Sequence, residues 1–360
     1  MAKKEYYSSA EILKKDAQYN LIIGERSNGK SYDIKINRGI KKAFEKQKCT
    51  FALLKRYAED IKGSFVDEYF ADVPVKKITK NKYNYITGYR GSIYLANIDE
   101  EGKIEKGLCV GKVFALSNDE RYKSRAYPDM EDLIFEEFTT ANFYLKNEVK
   151  RLMQLVSTIF RRRKGYVWMI ANTISRISPY FTEWALSNVY TMQQGQIDLY
   201  NFKDENGNVT KIAVEYCSNA GDKKSSMFFG NYSKNINSGS WEVDEYPHLP
   251  CEYNDKELST IYQIGYVYND FAFIISLCIY DGNKFLYIKP AKKLNDWWRL
   301  PTRVLYNKFM VDKNITRTLN RERKIERIIS DLFRENKICY SHNLCGADFN
   351  TCRKNDNIVF

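Results

Sequence analysis

The chain has 360 residues, a length that predicts about two domains at roughly 150 residues per domain. Hydrophobic residues make up 44% of the sequence and aromatic residues 15%, which is enough for packed cores and excludes a largely disordered or collagen-like chain. The 57 Lys and Arg residues outnumber the 45 Asp and Glu residues, and the net charge of +12 favours a polyanionic partner such as nucleic acid.

Short apolar runs alternate with amphipathic helical patterns in the N-terminal half. The runs that predict buried parallel strands are 20–23, 51–54, 113–116, 133–135 and 166–171. Helices are predicted over 31–47 and 147–161, and in the second helix apolar residues recur at three- and four-residue spacing. This alternation predicts an α/β domain with a mostly parallel sheet and helices on both faces.

The composition changes after residue 201. The sequence DENGN at 204–208 indicates a turn, and the stretch 218–240 is rich in Gly, Ser, Asn and Lys, as linkers are. We therefore predict a first domain over 1–217, a linker over 218–240 and a second domain over 241–360.

The second domain is predicted to be a smaller α+β domain. Three β-rich segments, separated by Asn269-Asp270 and Asp281-Gly282, predict an antiparallel meander over 262–268, 271–280 and 284–288. Residues 321–335 predict an amphipathic helix. The last 72 residues, from Lys289 onward, contain 16 basic and 8 acidic residues, so most of the net charge lies at this end.

Membrane and secretory segments are not expected. The longest apolar stretch, Phe271 to Tyr280, is about half of the roughly 20 residues that a helix needs to cross a bilayer. The N-terminal residues lack the apolar core of a secretory signal. The eight cysteines lie mostly singly and far apart, which favours reduced thiols in a cytoplasm over a disulfide framework.

A phosphate-binding loop follows the first predicted strand directly. Residues 24–31, GERSNGKS, match GxxxxGK[ST] at every fixed position. The two glycines let the backbone N–H groups surround phosphates, Lys30 reaches the β- and γ-oxygens, and Ser31 ligates Mg²⁺. The sequence therefore predicts an ATP and Mg²⁺ site, to which the loop contributes Gly24, Arg26, Ser27, Asn28, Gly29, Lys30 and Ser31.

An acidic pair follows the predicted strand 133–135. Nucleotide hydrolysis requires a carboxylate for the metal and a second one to activate water, both at the end of a buried strand. We assign the metal to Glu136, directly or through water, and the attacking water to Glu137. A solvated acidic run is the alternative interpretation.

Hydrolysis also requires a cation at the developing charge on the γ-phosphate. Arg161, Arg162 and Arg163 end the helix after the acidic pair, where arginines also complement the helix dipole. Asn172, at the end of the strand 166–171, is a candidate γ-phosphate sensor, although an Asn after a strand is also a common turn residue.

Taken together, these motifs resemble the DNA-packaging (encapsidation) ATPases of small tailed bacteriophages with protein-primed genomes. The segments that carry the resemblance are LIIGERSNGKSY at 21–32, LLKRY at 53–57, AYPDMEDLIFEEF at 126–138, NEVKRLMQLVSTIFRRR at 147–163 and ANTISRISPYF at 171–181. The resemblance covers about the first 180 residues well and the remainder weakly.

The resemblance implies a P-loop NTPase of the additional-strand, catalytic-glutamate type. It implies a homo-oligomeric ring, a pentamer, that docks at the capsid portal (connector) in the host cytoplasm and drives double-stranded DNA into an empty capsid; a packaging RNA is a further possible partner. By position it makes Glu137 the catalytic glutamate and Arg161 the arginine that acts in trans, and Arg26 matches an arginine within the loop. The family often has Asp where this chain has Glu136.

The resemblance also implies that the second domain is like a ribonuclease H that has lost its metal-binding acids. No acidic residue lies in the first predicted strand of this domain, where a two-metal nuclease requires one, and Asp270 and Asp281 fall in turns. We therefore expect a binding module for DNA, portal or RNA and no nuclease activity.

Basic residues from both domains are expected to contact DNA phosphates. In the first domain they are Arg121, Lys123 and Arg125, in the polar loop ahead of the acidic strand. Two alternative functions stay open: a helicase-like or signalling ATPase, and a non-catalytic assembly protein regulated by nucleotide. Separately, Cys339, His342, Cys345 and Cys352 are potential zinc ligands, although their spacing matches no common zinc finger.

Overall fold

The computed structural model describes residues 6–140, 144–173, 177–205, 207–218, 246–249, 259–268, 271–280, 282–291, 303–306 and 324–355. The chain divides into two compact units. The first unit comprises 1–140, 144–174 and 178–241, and the second comprises 141–143, 175–177 and 242–360. The predicted linker, 218–240, lies outside the described residues except for Ser218.

The described strands of the first unit form one nine-stranded sheet. They are β1 (Tyr19–Gly24), β2 (Phe51–Lys55), β3 (Tyr85–Tyr89), β4 (Ser92–Ile98), β5 (Ile104–Ala115), β6 (Asp132–Glu136), β7 (Tyr166–Asn172), β8 (Ile197–Lys203) and β9 (Val209–Tyr216). Their order is β3-β4-β5-β2-β6-β7-β1-β9-β8. Every neighbouring pair from β5 to β9 is parallel, and antiparallel strands complete both edges. The prediction of a mostly parallel sheet is confirmed.

The helices of the first unit are mostly short. They are α1 (Ala10–Leu13), α2 (Lys30–Ile34), α3 (Lys41–Lys46), α4 (Phe65–Tyr69), α5 (Val75–Ile78), α6 (Glu148–Phe160) and α7 (Pro179–Glu183), with 3₁₀ turns at Glu59–Ile61, Leu116–Tyr122 and Ser187–Tyr190. A π-helical segment, Lys35–Ile40, joins α2 to α3, so the predicted helix 31–47 is interrupted by wider turns. The predicted helix 147–161 is confirmed as α6.

Apolar side chains fill both faces of this sheet. In β2, Leu53 packs into the apolar core on one face of the sheet and Leu54 into the core on the other face. In β6, Ile134 and Phe135 likewise pack into different cores. Successive side chains of a strand point to opposite faces, so a strand that is covered on both sides requires a continuous apolar run. This is the physical reason that the runs in the sequence marked the central strands.

Because β6, β7 and β1 are parallel neighbours, their carboxyl ends lie side by side. Glu136 ends β6 and is in register with Ile170 of β7, while Asn172 ends β7 and is in register with Gly24 of β1. The carboxyl ends of β6, β7 and β1 therefore meet where the P-loop begins. At the amino end of β6, the buried Asp132 accepts hydrogen bonds from Arg38, Lys42 and Trp168.

No sequence pattern predicts elements within residues 57–112, and the structure places β3, β4 and most of β5 there. The hairpin between β3 and β4 turns at Arg90 and Gly91, with φ of 48° and 73°. Positive φ at both central positions is the geometry of tight hairpin turns, in which Asn-Gly is the common pair. An Arg at the first position obscured that signal.

The second unit contains a mixed five-stranded sheet and two helices among its described residues. The elements are β10 (Ser259–Tyr268), β11 (Phe271–Tyr280), β12 (Asn283–Pro290), β13 (Arg303–Tyr306), α8 (Lys324–Arg334), β14 (Ile338–Tyr340) and α9 (Asn343–Asn355). The antiparallel meander is confirmed as β10-β11-β12. Strands β13 and β14, which no sequence pattern predicts, pair in parallel with the outer strands of the meander. Asp270, Asp281 and the start of the helix predicted over 321–335 lie outside the described residues.

The potential zinc ligands do not come together. Cys345 and Cys352 lie in the apolar core of the second unit, and the Nδ1 atom of His342 accepts a hydrogen bond from the Cys345 N–H. Within the part of the chain that the structure describes, no group of three or more His, Cys, Asp or Glu side chains is arranged to hold a metal ion. That part also contains no helix with the length and apolar character of a membrane span.

Candidate nucleotide site

The P-loop connects β1 to α2 through left-handed backbone conformations. Gly29, which precedes α2, has a φ of 97°, and Ser27 has a φ of 60°. Gly24 adopts an ordinary φ, but a Cβ atom there would lie 2.8 Å from the Cβ of Cys217. One glycine is therefore required by conformation and the other by close packing against the residue that follows β9.

Lys30 links the loop to the neighbouring strand β7. Its Nζ donates hydrogen bonds to the Glu25 carbonyl at 2.5 Å, to Asn28 Oδ1 at 3.2 Å and to Asn172 Oδ1 at 3.4 Å. The side chain is buried, and this burial lowers the pKa of Lys30 to about 8. The structure thus brings together Lys30 and Asn172, both of which are predicted for the nucleotide site.

Ser31 and Glu136 are also brought together. The Ser31 hydroxyl donates a hydrogen bond to Glu136 Oε2 at 3.0 Å, and the Tyr69 hydroxyl donates to Glu136 Oε1 at 2.7 Å. Glu136 is buried, while Ser31 and Tyr69 are half-buried. Burial and the Glu136 carboxylate raise the pKa of Tyr69 well above its ordinary value, so its hydroxyl is a donor.

Glu137 lies directly after β6 and differs in its surroundings from Glu136. Its side chain is exposed, and its φ of 58° turns the backbone sharply at the strand end. The Arg56 guanidinium stabilises this turn by donating hydrogen bonds to the carbonyl of Glu137 at 3.0 Å and to that of Phe138 at 2.8 Å. The same guanidinium pairs with the buried Glu148 at the start of α6.

A cavity of about 500 Å³ opens above these groups. Its lining residues are Tyr6, Ser27, Asn28, Gly29, Lys30, Ser31, Tyr32, Lys35, Asp72 and Asn172. Backbone N–H groups at a helix N-terminus and two lysines suit a polyphosphate, and the Ser31 hydroxyl with the Glu136 carboxylate is an oxygen donor set of the kind that Mg²⁺ prefers. The residues present therefore fit ATP and Mg²⁺. Arg26 is exposed on the same loop.

Arg161 lies away from this cavity. Helix α6 starts after the carboxyl end of β6 and leads to the amino end of β7. Its last turn therefore lies near the amino ends of the parallel strands, whereas the P-loop lies at their carboxyl ends. Arg161 is exposed and donates a hydrogen bond to the Arg125 carbonyl at 3.1 Å. Arg163 instead donates to the carbonyls of four residues, Tyr127, Pro128, Met130 and Ile159.

The three basic residues predicted to contact DNA are all exposed. Arg121 lies in the 3₁₀ turn that follows β5, and Lys123 and Arg125 lie in the segment after it. Lys123 forms an exposed ion pair with Glu120. Their side chains are accessible to a macromolecular polyanion.

Several residues of the site are not predicted from the sequence. Tyr69 and Asp72 come from the segment between β2 and β3, Lys35 comes from the π-helical segment, and Arg56 is the residue that directly follows β2. None of them belongs to a motif with fixed spacing from the P-loop. Arg56 is part of LLKRY at 53–57. Its position directly after the apolar run of β2 is the one sequence feature that indicates a place near the carboxyl ends of the strands.

A family model of the podovirus DNA encapsidation protein (Gp16) matches residues 1–202 of the chain. The DNA packaging protein of Bacillus phage phi29 is 30% identical over 193 residues, which cover 50% of this chain and 50% of that protein. The DNA packaging protein of Bacillus phage B103 is 31% identical over 179 residues, with 49% and 50% coverage. The match thus spans about half the length of these relatives.

Two solved structures match over almost the whole chain. One, described as the Phi-28 gp11 DNA packaging motor, has a TM-score of 0.50 at 15% identity and covers 99% of both chains. The other, the bacteriophage Phi-29 viral genome packaging motor assembly, has a TM-score of 0.51 at 19% identity and covers 97% of this chain and 99% of that one. At these identities the likeness shows a shared fold.

Proposed function

This chain belongs to the podovirus DNA encapsidation protein (Gp16) family, and from that premise we propose that it is an ATPase that drives double-stranded DNA into an empty capsid. One observation carries the catalytic part of the proposal. Lys30, Ser31 and Asn172 line one cavity that fits a nucleoside triphosphate, and the Ser31 hydroxyl is hydrogen-bonded to Glu136 at the end of β6.

Each of these groups has a role that follows from its position. The P-loop backbone and Lys30 bind the phosphates. Asn172 accepts a hydrogen bond from Lys30 and acts as the sensor of the γ-phosphate. Ser31 and Glu136 would hold Mg²⁺, which when bound neutralises charge on the β- and γ-oxygens. Glu137 orients and deprotonates the attacking water, and its exposed carboxylate is accessible for that role.

The arginine that completes the site comes from another copy of the chain. Arg161 follows α6 near the amino end of β7, away from its own P-loop, and this position supports a role in trans on the nucleotide of a neighbour. This requires a homo-oligomeric ring, which we propose to be a pentamer at the capsid portal, acting in the host cytoplasm. A packaging RNA is a further proposed partner.

The second unit is proposed as a binding module rather than a nuclease. Strand β10 of its meander has no acidic residue. The last 72 residues of the chain, which belong to this unit, contain 16 basic and 8 acidic residues. Contacts with phosphate groups of DNA or RNA are the role that this charge supports best.

A packaging assay tests the function as a whole. Purified empty capsids with their portal, linear double-stranded DNA, ATP and this protein should give DNA that is protected from added nuclease. The Lys30→Ala variant should give no protected DNA. ATP hydrolysis without protected DNA would favour the helicase-like alternative, and nucleotide-dependent assembly without hydrolysis would favour the non-catalytic one.

A further inference from the structure

The hydroxyl of Tyr69 reaches the nucleotide site from an element outside every nucleotide-binding motif. Tyr69 is the last residue of α4, in the segment between β2 and β3, and its hydroxyl lies 2.7 Å from Glu136 Oε1. The other carboxylate oxygen, Oε2, accepts the hydrogen bond from Ser31 at 3.0 Å. Each oxygen of the carboxylate is therefore engaged by a different hydroxyl.

Tyr69 is itself held in place by two lysines. The Lys35 Nζ donates a hydrogen bond to the Tyr69 carbonyl at 3.0 Å and lies 5.0 Å from the centroid of its ring. The Lys55 Nζ lies 5.9 Å from the same centroid. Lys35 is buried and also pairs with Asp72, so the ring is fixed between β2 and the π-helical segment that follows the P-loop.

A glutamate at this position requires such a constraint. A Glu side chain has three rotatable bonds, and the last one is broad, so its carboxylate has no strongly preferred orientation of its own. A hydrogen bond from Tyr69 to Oε1 fixes the plane of the carboxylate and directs Oε2 towards Ser31. Partners of this kind, one step removed from a metal, commonly set metal affinity.

We propose that Tyr69 is a positioning residue that orients Glu136 and thereby sets the affinity of the site for Mg²⁺ with nucleotide. This inference rests on the proposed ATPase function. Tyr69 contacts neither nucleotide nor metal in this role and acts only through the Glu136 carboxylate.

The matched test compares Tyr69→Phe with Tyr127→Phe in the full chain. Both changes remove one phenolic hydroxyl, and the buried Tyr127 hydroxyl has no hydrogen-bond partner among the described residues. Binding of a fluorescent ATP analogue is measured by anisotropy while Mg²⁺ is titrated. Tyr69→Phe should raise the Mg²⁺ concentration at half-maximal binding by about tenfold or more, and Tyr127→Phe should leave it at the wild-type value.

A double-variant cycle separates this role from a general effect on folding. In the Glu136→Asp background the shorter carboxylate no longer reaches Tyr69, so adding Tyr69→Phe should not shift the Mg²⁺ midpoint further. A further shift of the same size in that background would overturn the proposal. Binding of the analogue in EDTA should be equal in wild type and Tyr69→Phe, and a loss there would also overturn it.

The outcomes distinguish this inference from the function on which it rests. If wild type and Tyr127→Phe show Mg²⁺-dependent binding and Tyr69→Phe matches them, the role of Tyr69 is wrong and the ATPase proposal stands. If wild-type protein binds the analogue equally well with and without Mg²⁺, the inference about Tyr69 is wrong. If wild-type protein binds no analogue either with Mg²⁺ or in EDTA, the ATPase proposal itself is wrong.

Discussion

Arg56 and Glu148 form a buried ion pair, with the guanidinium Nε 3.0 Å from one carboxylate oxygen of Glu148. The pair connects the turn after β6 to the first turn of α6, because the same guanidinium also binds the carbonyls of Glu137 and Phe138. Glu148 also accepts hydrogen bonds from the Tyr180 hydroxyl at 2.8 Å and from the Leu145 N–H at 2.7 Å. The backbone of the proposed catalytic glutamate is thus fixed to helix α6, which Arg161 directly follows.

Removing one partner of this ion pair should destabilise the protein strongly. We expect Arg56→Ala to lower the free energy of unfolding by about 3–5 kcal/mol, since it leaves Glu148 buried without its cation. The exposed pair between Lys164 and Asp16 is the control, and Lys164→Ala should cost less than about 1 kcal/mol. Urea unfolding measures both values, and equal effects would contradict a dominant role for the buried pair.

Lys30 and Glu137 should separate nucleotide binding from hydrolysis. We expect Lys30→Ala to abolish turnover because the phosphates lose their cation. Glu137→Gln should bind nucleotide normally and hydrolyse it about 10²- to 10⁴-fold more slowly, the usual contribution of a general base. Affinity and turnover are measured separately, with Glu45→Gln on the exposed side of α3 as the control. Near-normal turnover by Glu137→Gln would remove it from the catalytic role.

Mixed subunits should reveal whether Arg161 acts in trans. Arg161→Ala keeps an intact P-loop and Lys30→Ala keeps an intact arginine, so a mixed ring contains some interfaces with both. ATPase activity of the mixture should exceed that of either variant alone, because a trans-acting arginine contributes on the order of 10³-fold in turnover. If Arg161→Ala hydrolyses ATP normally where rings form, Arg162 is the next candidate, since the carbonyls around Arg163 already engage its guanidinium.

The basic segment after β5 should contribute to the salt dependence of DNA binding. Replacing Arg121, Lys123 and Arg125 with Gln should reduce the slope of log affinity against log salt by up to about 2.7, at roughly 0.9 per phosphate contact. The control variant replaces three exposed lysines in and after α3, Lys41, Lys46 and Lys48, with Gln and so removes the same amount of charge. An equal loss of slope in both variants would indicate net charge rather than a specific contact surface.

Glu215 should make the stability of the first unit depend on pH. Burial raises the pKa of this carboxyl to about 7, from an ordinary value near 4.5. Between these values the folded chain keeps a proton that the unfolded chain loses, so the free energy of unfolding falls as pH rises towards 7, by roughly 1.4 kcal/mol per unit at most.

Two substitutions should change this pH dependence in opposite directions. Glu215→Gln should remove the fall and make the protein more stable than wild type near pH 8. Tyr7→Phe removes a hydroxyl that donates to Glu215 at 2.8 Å and lowers its pKa, so the fall should extend to higher pH. Urea unfolding at a series of pH values is the measurement, and identical pH profiles of Glu215→Gln and wild type would contradict the assignment.

The sequence determined the central strands, helix α6 and the P-loop of this protein. Strands that are buried on both faces require uninterrupted apolar runs, as at Phe51–Leu54 and Tyr166–Ala171, and such runs are visible without any knowledge of tertiary structure. The P-loop has a fixed spacing because one short segment must surround the phosphates. The outer hairpin β3-β4 lacked both signals, since one face is half-exposed and its turn uses Arg90.

Only the tertiary structure decided which distant side chains share the site. The pairing of Asn172 with Lys30 depends on β7 lying between β1 and β6, an order that no local pattern encodes. The contacts of Tyr69 and Arg56 arise because the segment after β2 folds back towards the carboxyl ends of the parallel strands. Tyr69 precedes Glu136 by 67 positions, and Arg56 precedes Glu137 by 81 positions. Contacts at such separations depend on strand order and packing and not on local spacing. This is why the sequence pattern indicates Glu136 and Glu137, directly after an apolar run, but not the two side chains that hold them.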